Sequence, residues 1–258
     1  MENYVALDLE TTGLSPKNDR ILEIGAVKIE EGRETGRIAT LIDPQMKIPE
    51  RITALTGISQ KMVKGLPVIG EVVGELVEFC EGFPLLGHNI IFDFSFVKQW
   101  AVNSGLEFEH QGIDTLKIAR VLVPELPEKG LQALRMHYQI EQEHAHRAFE
   151  DALVTHKLYQ RFIQEYEASN PDVFKPYQLV YKAKKQSPAT PRQKRYLQDL
   201  IKCHRIDITL QTDTLSRSEA SRLIDQIILQ RGRLTEHSLS SPYNGFVGGS
   251  GRRKGSQD

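Results

Sequence analysis

Two carboxylates interrupt an apolar stretch at residues 5–14, and this stretch constrains the fold more than any other part of the chain. Its alternation of apolar and polar residues predicts a β-strand, so Asp8 and Glu10 project from the same side of a sheet. Like charges this close repel each other, and a divalent cation with oxygen ligands is the usual means of offsetting the repulsion. Taken alone, the tripeptide favours a plainer alternative, a solvated edge strand with two surface acids. Residues elsewhere in the chain must decide between the two.

The segments that follow predict an α/β fold. Two further apolar segments, residues 21–29 and 35–42, predict strands that continue the first as an antiparallel meander. Helical spacing begins at residues 68–79, and after it short apolar segments alternate with helical ones. This alternation indicates a three-layer arrangement, with a sheet between helices.

Charge divides the chain of 258 residues into an acidic and a basic part, although its net charge is only -1. Residues 1–170 hold 17 Lys and Arg against 26 Asp and Glu, whereas residues 171–258 hold 16 against 8. The asymmetry suggests an acidic body joined to a basic appendage that binds a polyanion. A solubilising tail would have the same composition. No apolar run is long enough to span a bilayer and no signal-peptide pattern opens the chain, so we expect no membrane partner and a cytoplasmic location.

The basic part is predicted to contain a small helical module. We expect a body at residues 1–168, a linker at 169–189, the module at 190–233 and a disordered tail at 234–258. Thr190 and Ser216 are predicted N-caps of its two helices. Five basic residues lie on or beside the first helix, opposite its apolar stripe: Arg192, Lys194, Arg195, Lys202 and Arg205. They are candidates for phosphate contacts.

Asp93 is the first candidate partner of the paired acids. Apolar residues surround it in sequence, among them Phe92, Phe94 and Phe96. This environment is costly for a carboxylate unless donors or a cation satisfy it. The alternative is an ordinary first-turn acid that the helix dipole stabilises.

Asp151 is the second candidate partner, five residues after His146. On the predicted helix Asp151 shares a stripe with Ala148, Ala152 and other inward-facing residues. His146 stands at or just before the first turn, where it can point to the same region. A lone histidine at such a position is more often a cap or a surface residue than a catalyst.

Together these motifs resemble one family. Asp8-x-Glu10, Asp93 after Gly-His-Asn, and His146 with Asp151 occur in the order typical of the DEDDh class of 3′→5′ exonucleases, the DnaQ-like group. The resemblance covers residues 4–166, which makes the body at 1–168 the exonuclease domain. It implies a ribonuclease H-like three-layer α/β fold with a mixed five-stranded sheet, followed here by the small helical module. It also implies two Mg²⁺ or Mn²⁺ ions, and carboxylate ligands suit these cations better than zinc.

The resemblance assigns a role to each motif. It implies that Asp8, Glu10 and Asp151 hold the cation that activates water, that Asp8 bridges to the second ion, and that Asp93 orients its ligands. His146 would be the general base, because imidazole titrates near neutral pH. Candidate substrate contacts follow the acids or lie in two later turns: Thr11, Leu14, Leu55, Thr56, His88 and Asn89. Ordinary turn and core packing would account for these residues as well.

The leading interpretation is a metal-dependent 3′→5′ exonuclease that acts on DNA in proofreading or repair. Its partners would be single-stranded DNA or DNA 3′ ends, with a polymerase or replisome partner in trans. An exoribonuclease that trims RNA 3′ ends is the alternative within the enzyme class. A nucleic-acid-binding or polymerase-docking subunit without catalysis is the alternative from another class, although a mere binding surface gains nothing from acids clustered against phosphates.

Overall fold

The computed structural model describes residues 2–206 and 215–234. The chain divides into two compact units, residues 1–187 and 188–258. The predicted body boundary at residue 168 lies inside the first unit. Of the predicted disordered tail, only residue 234 falls within the described residues. In the part of the chain that the structure describes, no helix has the length and apolar character to span a membrane.

A six-stranded mixed sheet forms the centre of the first unit, with strand order β3-β2-β1-β4-β5-β6. Strands β1 (Tyr4–Thr11), β2 (Ile21–Glu30) and β3 (Arg33–Leu41) form the predicted antiparallel meander. Strands β4 (Leu85–Gly87) and β5 (Gln111–Asp114) extend it in parallel, and β6 (Tyr177–Gln178) closes it antiparallel to β5. The α/β fold class is confirmed, and the sheet is mixed as expected.

Seven α-helices accompany the sheet in the described part of the first unit. They are α1 (Glu50–Thr56), α2 (Gln60–Val63), α3 (Ile69–Cys80), α4 (Ile91–Ser104), α5 (Thr115–Leu122), α6 (Leu131–His137) and α7 (Ala148–Tyr166). One apolar core joins the sheet to α3 and α4, and another joins it to α5, α6 and α7. The sheet therefore lies between two helical layers.

Strand β1 supplies both cores because its side chains alternate between the two faces. Val5, Leu7 and Leu9 pack into the core on the side of α3 and α4, whereas Tyr4 and Ala6 pack into the core on the side of α7. Continuing the same alternation, residues 8 and 10 belong to the face that α7 covers. The fold thereby directs the paired acids toward the helix that carries Asp151.

The expectation of five strands was wrong by one, because β6 lies in the segment predicted to be a linker. Within residues 169–189, a 3-10 helix (Pro171–Phe174) is followed by β6, which pairs with β5. Phe174 packs into the core on the side of α7, and Leu179 into the core on the side of α3 and α4. Burial of these two side chains anchors a segment whose prolines and lysines resemble those of a linker.

The second unit contains helices α8 (Pro191–Cys203) and α9 (Arg217–Arg231). Thr190 and Ser216 accept hydrogen bonds from the backbone amides of Gln193 and Glu219, so each helix begins with the expected capping box. A small apolar core, which includes Leu197, joins the two helices. Residues 207–214, which connect them, lie outside the described residues.

Candidate active site

Asp8 and Glu10 stand side by side on β1, half-buried in the sheet face that α7 covers. Glu10 lies directly opposite Glu23 of β2 in the antiparallel register. The plainer expectation of two solvated acids on an edge strand does not describe this arrangement, because β1 has β2 on one side and β4 on the other. A central strand places both carboxylates within the body of the domain.

Asp93 lies in the first turn of α4 and is buried. Its Oδ1 atom accepts a hydrogen bond of 3.0 Å from the backbone amide of Leu9, the residue between the two acids of β1. A helical carboxylate is thereby tied to the strand. Burial raises the pKa of Asp93 well above its ordinary value, and the backbone amides of Asp93 and Leu9 partly oppose this rise.

Asp151 lies in the first turn of α7, where it is buried against the sheet. Its Oδ1 atom accepts hydrogen bonds from the side-chain amides of Gln132, at 3.0 Å, and Gln142, at 2.9 Å. One potential ligand atom from each of Glu10, His146 and Asp151 lies within 4.8 Å of the others. Asp151 and His146 thus lie together beside Glu10.

A cleft of about 440 Å³ connects all five residues. Asp8, Glu10, Asp93, His146 and Asp151 line it from the end of β1, from α4 and from the start of α7. Residues 130–133, at the start of α6, also line it. The acidic side chains of this cleft are buried or half-buried and so partly shielded from water.

Burial and, after it, mutual repulsion raise the pKa values of the carboxyl groups in the cleft. Burial, followed by the charges of Asp93, Asp151 and Glu10, raises the pKa of Asp8 well above its ordinary value. Burial and the charge of Asp151 raise the pKa of Glu10 to about 8, and burial raises the pKa of Asp151. Without a counter-charge, Glu10 would therefore retain much of its proton near neutral pH.

The donor set fits a hard divalent cation. Carboxylate oxygens predominate, with one imidazole, and oxygen ligands suit Mg²⁺, Mn²⁺ or Ca²⁺ better than thiophilic metals. A cation would favour the ionised form of each acid and so remove the repulsion described above. The residues present therefore fit the metal site that the motifs predicted.

Comparison with known proteins identifies the family. A family model described as an exonuclease, of the RNase T type, matches residues 5–159, which include every residue of the acidic cluster. The chain belongs to the DnaQ-like exonuclease family. It is 41% identical over 157 residues to the PolC-type DNA polymerase III of Clostridium perfringens. The match covers 61% of this chain and 11% of the polymerase, so the chain spans about a tenth of that relative's length.

Two further relatives are covered over most of their own length. The epsilon subunit of DNA polymerase III from Aquifex aeolicus is 33% identical over 163 residues, which cover 63% of this chain and 81% of the subunit. Exonuclease X, solved in complex with 5′-overhanging duplex DNA, superposes with a TM-score of 0.52 at 24% identity. That superposition covers 67% of this chain and 98% of Exonuclease X, and it supports the ribonuclease H-like fold.

The predicted substrate residues after β1 and in α1 fall into two kinds. Leu14 is 84% exposed and Leu55 is 54% exposed, so both present apolar surface to solvent. Thr11 and Thr56 are buried, and their hydroxyls donate to the backbone carbonyls of Gly13 and Ile52 at 2.7 and 2.9 Å. In this structure the threonines shape turns, whereas the leucines are free to contact a ligand.

His88 and Asn89 also line the cleft. His88 Nδ1 lies 2.9 Å from the hydroxyl of Thr115, and burial lowers the pKa of the imidazole. Asn89 has a left-handed backbone with a φ of 69°, and its backbone amide donates a hydrogen bond to the carboxylate of Asp114. Asp114 also caps α5 by accepting from the amides of residues 116 and 117. The role of Asp114 is therefore structural.

Sequence reasoning missed several polar residues that support the cleft. Gln132 and Gln142 hold Asp151, and Glu23 forms an ion pair with Arg147, next to His146. A detectable signal was the charge of Glu23 within the otherwise apolar residues 21–27 of β2, since a carboxylate in a buried strand requires a partner.

Proposed function

We propose that this chain is a metal-dependent 3′→5′ exonuclease that hydrolyses phosphodiester bonds at the 3′ ends of DNA. The observation that carries the proposal is the convergence of four carboxylates and one imidazole on a single cleft, in a chain of an exonuclease family. A docking or binding subunit does not require this arrangement. It would gain nothing from carboxylates that repel both each other and a phosphate backbone.

In the proposed mechanism the four carboxylates of the cluster bind cations, and the imidazole of His146 accepts a proton. Asp8, Glu10, Asp93 and Asp151 would hold two divalent cations, Mg²⁺ or Mn²⁺. Such ions, when bound, lower the pKa of water and stabilise the charge on the leaving oxygen. His146 accepts the proton of the attacking water as general base, because its imidazole lies beside Glu10 and Asp151 at the rim of the cluster.

Exposed apolar residues are the proposed contacts of the terminal nucleotide. Leu14 follows β1 on a turn in which the carboxylate of Asp19 accepts a hydrogen bond from the amide of Ser15, at 2.9 Å. This bracing fixes the backbone beside the exposed leucine, so that packing of Leu14 against a base requires less ordering of the turn. Leu55 would act in the same way, whereas the four other candidates would support the turns and line the path of the strand: Thr11, Thr56, His88 and Asn89.

Kinship supports DNA as the substrate and a polymerase as partner. The relatives described above are polymerase III chains, and Exonuclease X was solved with DNA. We propose action on single-stranded or frayed 3′ ends, in proofreading or repair, beside a polymerase. The cytoplasmic location predicted from the sequence stays a prediction, and kinship with replication proteins supports it.

We propose that the second unit binds the part of the DNA strand that the cleft does not contact. Arg192 and Arg195 are exposed on α8 and line a groove of about 350 Å³ together with Tyr196. Arginine binds phosphate and tyrosine stacks on bases, a combination typical of surfaces that bind single strands. The predicted module thus supplies positive charge that the acidic body lacks.

The test is digestion of 5′-labelled single-stranded oligonucleotides of DNA and RNA, with Mg²⁺, with Mn²⁺ and with EDTA. We expect a ladder that shortens from the 3′ end on DNA, needs a divalent cation and disappears in the Asp8→Ala variant. A circular single strand should remain intact, because an exonuclease needs an end.

Each alternative has its own result in this assay. Faster shortening of RNA than of DNA would favour the exoribonuclease. Binding of either oligonucleotide without any metal-dependent cleavage would favour the subunit without catalysis. Cleavage of the circular strand would contradict an exonuclease altogether.

A further inference from the structure

An ion pair adjoins the acidic cluster without being part of it. The guanidinium of Arg147 donates two hydrogen bonds to Glu23 Oε1, from Nε at 3.0 Å and from Nη2 at 2.8 Å. Glu23 is only 4% exposed. Its other oxygen, Oε2, accepts from Arg147 Nε at 3.2 Å and from the backbone amide of Ala148 at 3.0 Å. Both oxygens of one buried carboxylate are therefore engaged by two consecutive residues.

The ion pair crosses from the sheet to the segment that carries His146. Glu23 belongs to β2 and lies opposite Glu10 in the strand register. Arg147 immediately follows His146, and Ala148 is the first residue of α7. The bonds thus connect the residue beside His146 to the strand beside Glu10, across 124 positions of sequence.

The backbone around His146 needs such an anchor. His146 has a φ of 58°, in the left-handed region that residues other than glycine seldom adopt. Arg147 is the N-cap of α7, but its side chain makes no capping hydrogen bond there. The carboxylate of Glu23 instead binds the amide of Ala148, so a strand residue caps the helix from outside.

Close packing at the same point leaves little freedom. A Cβ atom built on Gly25, two residues after Glu23, would lie 2.1 Å from the backbone of Ala148. Strand β2 and the start of α7 are therefore in direct backbone contact. The ion pair and this close approach together define where the first turn of α7 begins.

We propose that Glu23 and Arg147 are positioning residues that hold His146 at the carboxylate cluster. The proposal rests on the proposed function, because it assigns to His146 the removal of the water's proton. Glu23 and Arg147 touch neither the substrate nor a cation in this scheme. They act by fixing the left-handed turn that aims the imidazole, and the charge of Arg147 offsets that of a carboxylate directly across from Glu10.

The first test is a comparison of Glu23→Gln and Arg147→Gln with the wild type in the full-length protein. We expect kcat on single-stranded DNA to fall roughly 10- to 100-fold, a part of the usual general-base contribution. KM for DNA and the Mg²⁺ concentration for half-maximal rate should change less than about twofold, because neither side chain binds DNA or a cation in this scheme. Arg147→Lys, which keeps the charge but not the bidentate geometry, should give an intermediate kcat.

A second readout does not depend on activity. Hydrogen exchange followed by mass spectrometry should show faster exchange in residues 141–148 of both glutamine variants, with exchange in β1 and α4 unchanged. Lys98→Gln is the matched control, because it breaks the ion pair of Lys98 with Glu109, 2.6 Å apart, elsewhere in the same unit. This control should change neither kcat nor exchange in residues 141–148.

Combination with His146→Ala separates positioning from general stability. If the ion pair acts through His146, Glu23→Gln should cause no further loss in the His146→Ala background under single-turnover conditions. An equal loss in both backgrounds, or unchanged exchange in residues 141–148, would overturn the positioning role. Should Glu23→Gln fail to fold, Arg147→Lys provides the same comparison.

The same set of proteins distinguishes failure of this inference from failure of the proposed function. A wild type that shows no metal-dependent cleavage, or a fully active His146→Ala variant, would refute the proposed mechanism. An active wild type with an impaired His146→Ala variant and normal glutamine variants would refute only the positioning role.

Discussion

At the scale of single residues, the place of β1 within the sheet determines the chemical environment of its two acids. Glu10 would be an ordinary surface acid if β1 were an edge strand. It becomes part of a repelling cluster because β1 is central and because α4 and α7 bring Asp93 and Asp151 to the same cleft. The cluster is destabilising by itself, and a bound cation would offset its repulsion.

His146 is the residue whose replacement should separate binding from turnover. We expect His146→Ala to lower kcat by roughly 10²- to 10⁴-fold, the usual contribution of a general base. Affinity for single-stranded DNA should remain, because the carboxylates and the exposed leucines are intact. Steady-state kinetics with fluorescence anisotropy would measure both quantities.

His144→Ala is the matched control for this experiment. His144 lies two residues away in the same loop and is exposed. Its replacement should leave kcat within about twofold of the wild type, since no catalytic role is assigned to it. Full activity of the His146→Ala variant would remove the base assignment.

The raised pKa of Glu10, caused first by burial and then by neighbouring acids, predicts a particular pH dependence of stability in the absence of metal. A carboxyl group whose pKa is raised in the folded state lowers stability as pH rises from its unfolded to its folded pKa. For Glu10 this window runs from about 4.3 to about 8. In EDTA, Glu10→Gln should therefore raise the free energy of unfolding at pH 8 by on the order of 1–2 kcal/mol, allowing for partial solvent screening.

Urea unfolding between pH 6 and pH 8 would check this expectation. The gain from Glu10→Gln should shrink as the pH falls to 6, and addition of Mg²⁺ should remove or reverse it. Glu81→Gln, an exposed position outside the cleft, should show no such trend. Equal stability of the Glu10→Gln protein and the wild type at pH 8 in EDTA would contradict the raised pKa of Glu10.

At the scale of secondary structure, local pattern predicted the elements that carry the chemistry. The apolar alternation of β1 and the helical spacing around Asp93 and Asp151 are properties of short segments. Capping boxes at Thr190 and Ser216 are equally local, and both are present. Predictions of this kind succeed because one segment contains all the information they need.

Elements that depend on distant partners were not predictable in the same way. β6 is two residues long and exists because it pairs with β5 and because its neighbours Phe174 and Leu179 are buried. The ion pair of Glu23 with Arg147 requires both the register of β1 with β2 and the position of α7. No short segment of the sequence contains both partners of either interaction.

The close approach of β2 and α7 can be tested at Gly25. A Cβ atom there would overlap the backbone of Ala148, so Gly25→Ala should lower the free energy of unfolding by roughly 1–3 kcal/mol, as overpacking usually does. Gly74→Ala is the matched control, because no atom lies within 4 Å of its Cβ position in helix α3. That substitution should stabilise by roughly 0.5–1 kcal/mol.

Chemical denaturation of the two variants would measure both effects. Gly25→Ala should also lower exonuclease turnover, since a shift of α7 moves Asp151 and His146 together. A Gly25→Ala protein as stable as the wild type would show that β2 and α7 can separate without cost.

At the scale of the whole molecule, the proposed function assigns different parts of DNA binding to the two oppositely charged units. The body would contribute the acidic cleft, which a polyanion would approach only with cations, and the second unit would contribute its exposed arginines. Replacement of Arg192 and Arg195 by Glu should weaken affinity for single-stranded DNA. The slope of log affinity against log salt should become shallower by roughly 1.4, because each arginine paired with a phosphate of a single strand contributes about 0.7 to it.

Salt titrations in the Asp8→Ala background would measure this without digestion of the strand. The matched control replaces Arg217 and Arg231 by Glu, two exposed arginines of α9 with the same change in net charge. The control should retain most of the affinity and the slope. Equal weakening in both double variants would indicate a general charge effect rather than a groove on α8.

The short strand β6 has a practical consequence for anyone who wishes to isolate the catalytic half. A fragment cut at residue 168 would remove β6 and leave the outer edge of β5 with unpaired amide and carbonyl groups, beside apolar surface that Phe174 and Leu179 had covered. Exposed edges of this kind invite intermolecular strand addition and aggregation. A fragment that ends after Ser187 keeps this edge sealed.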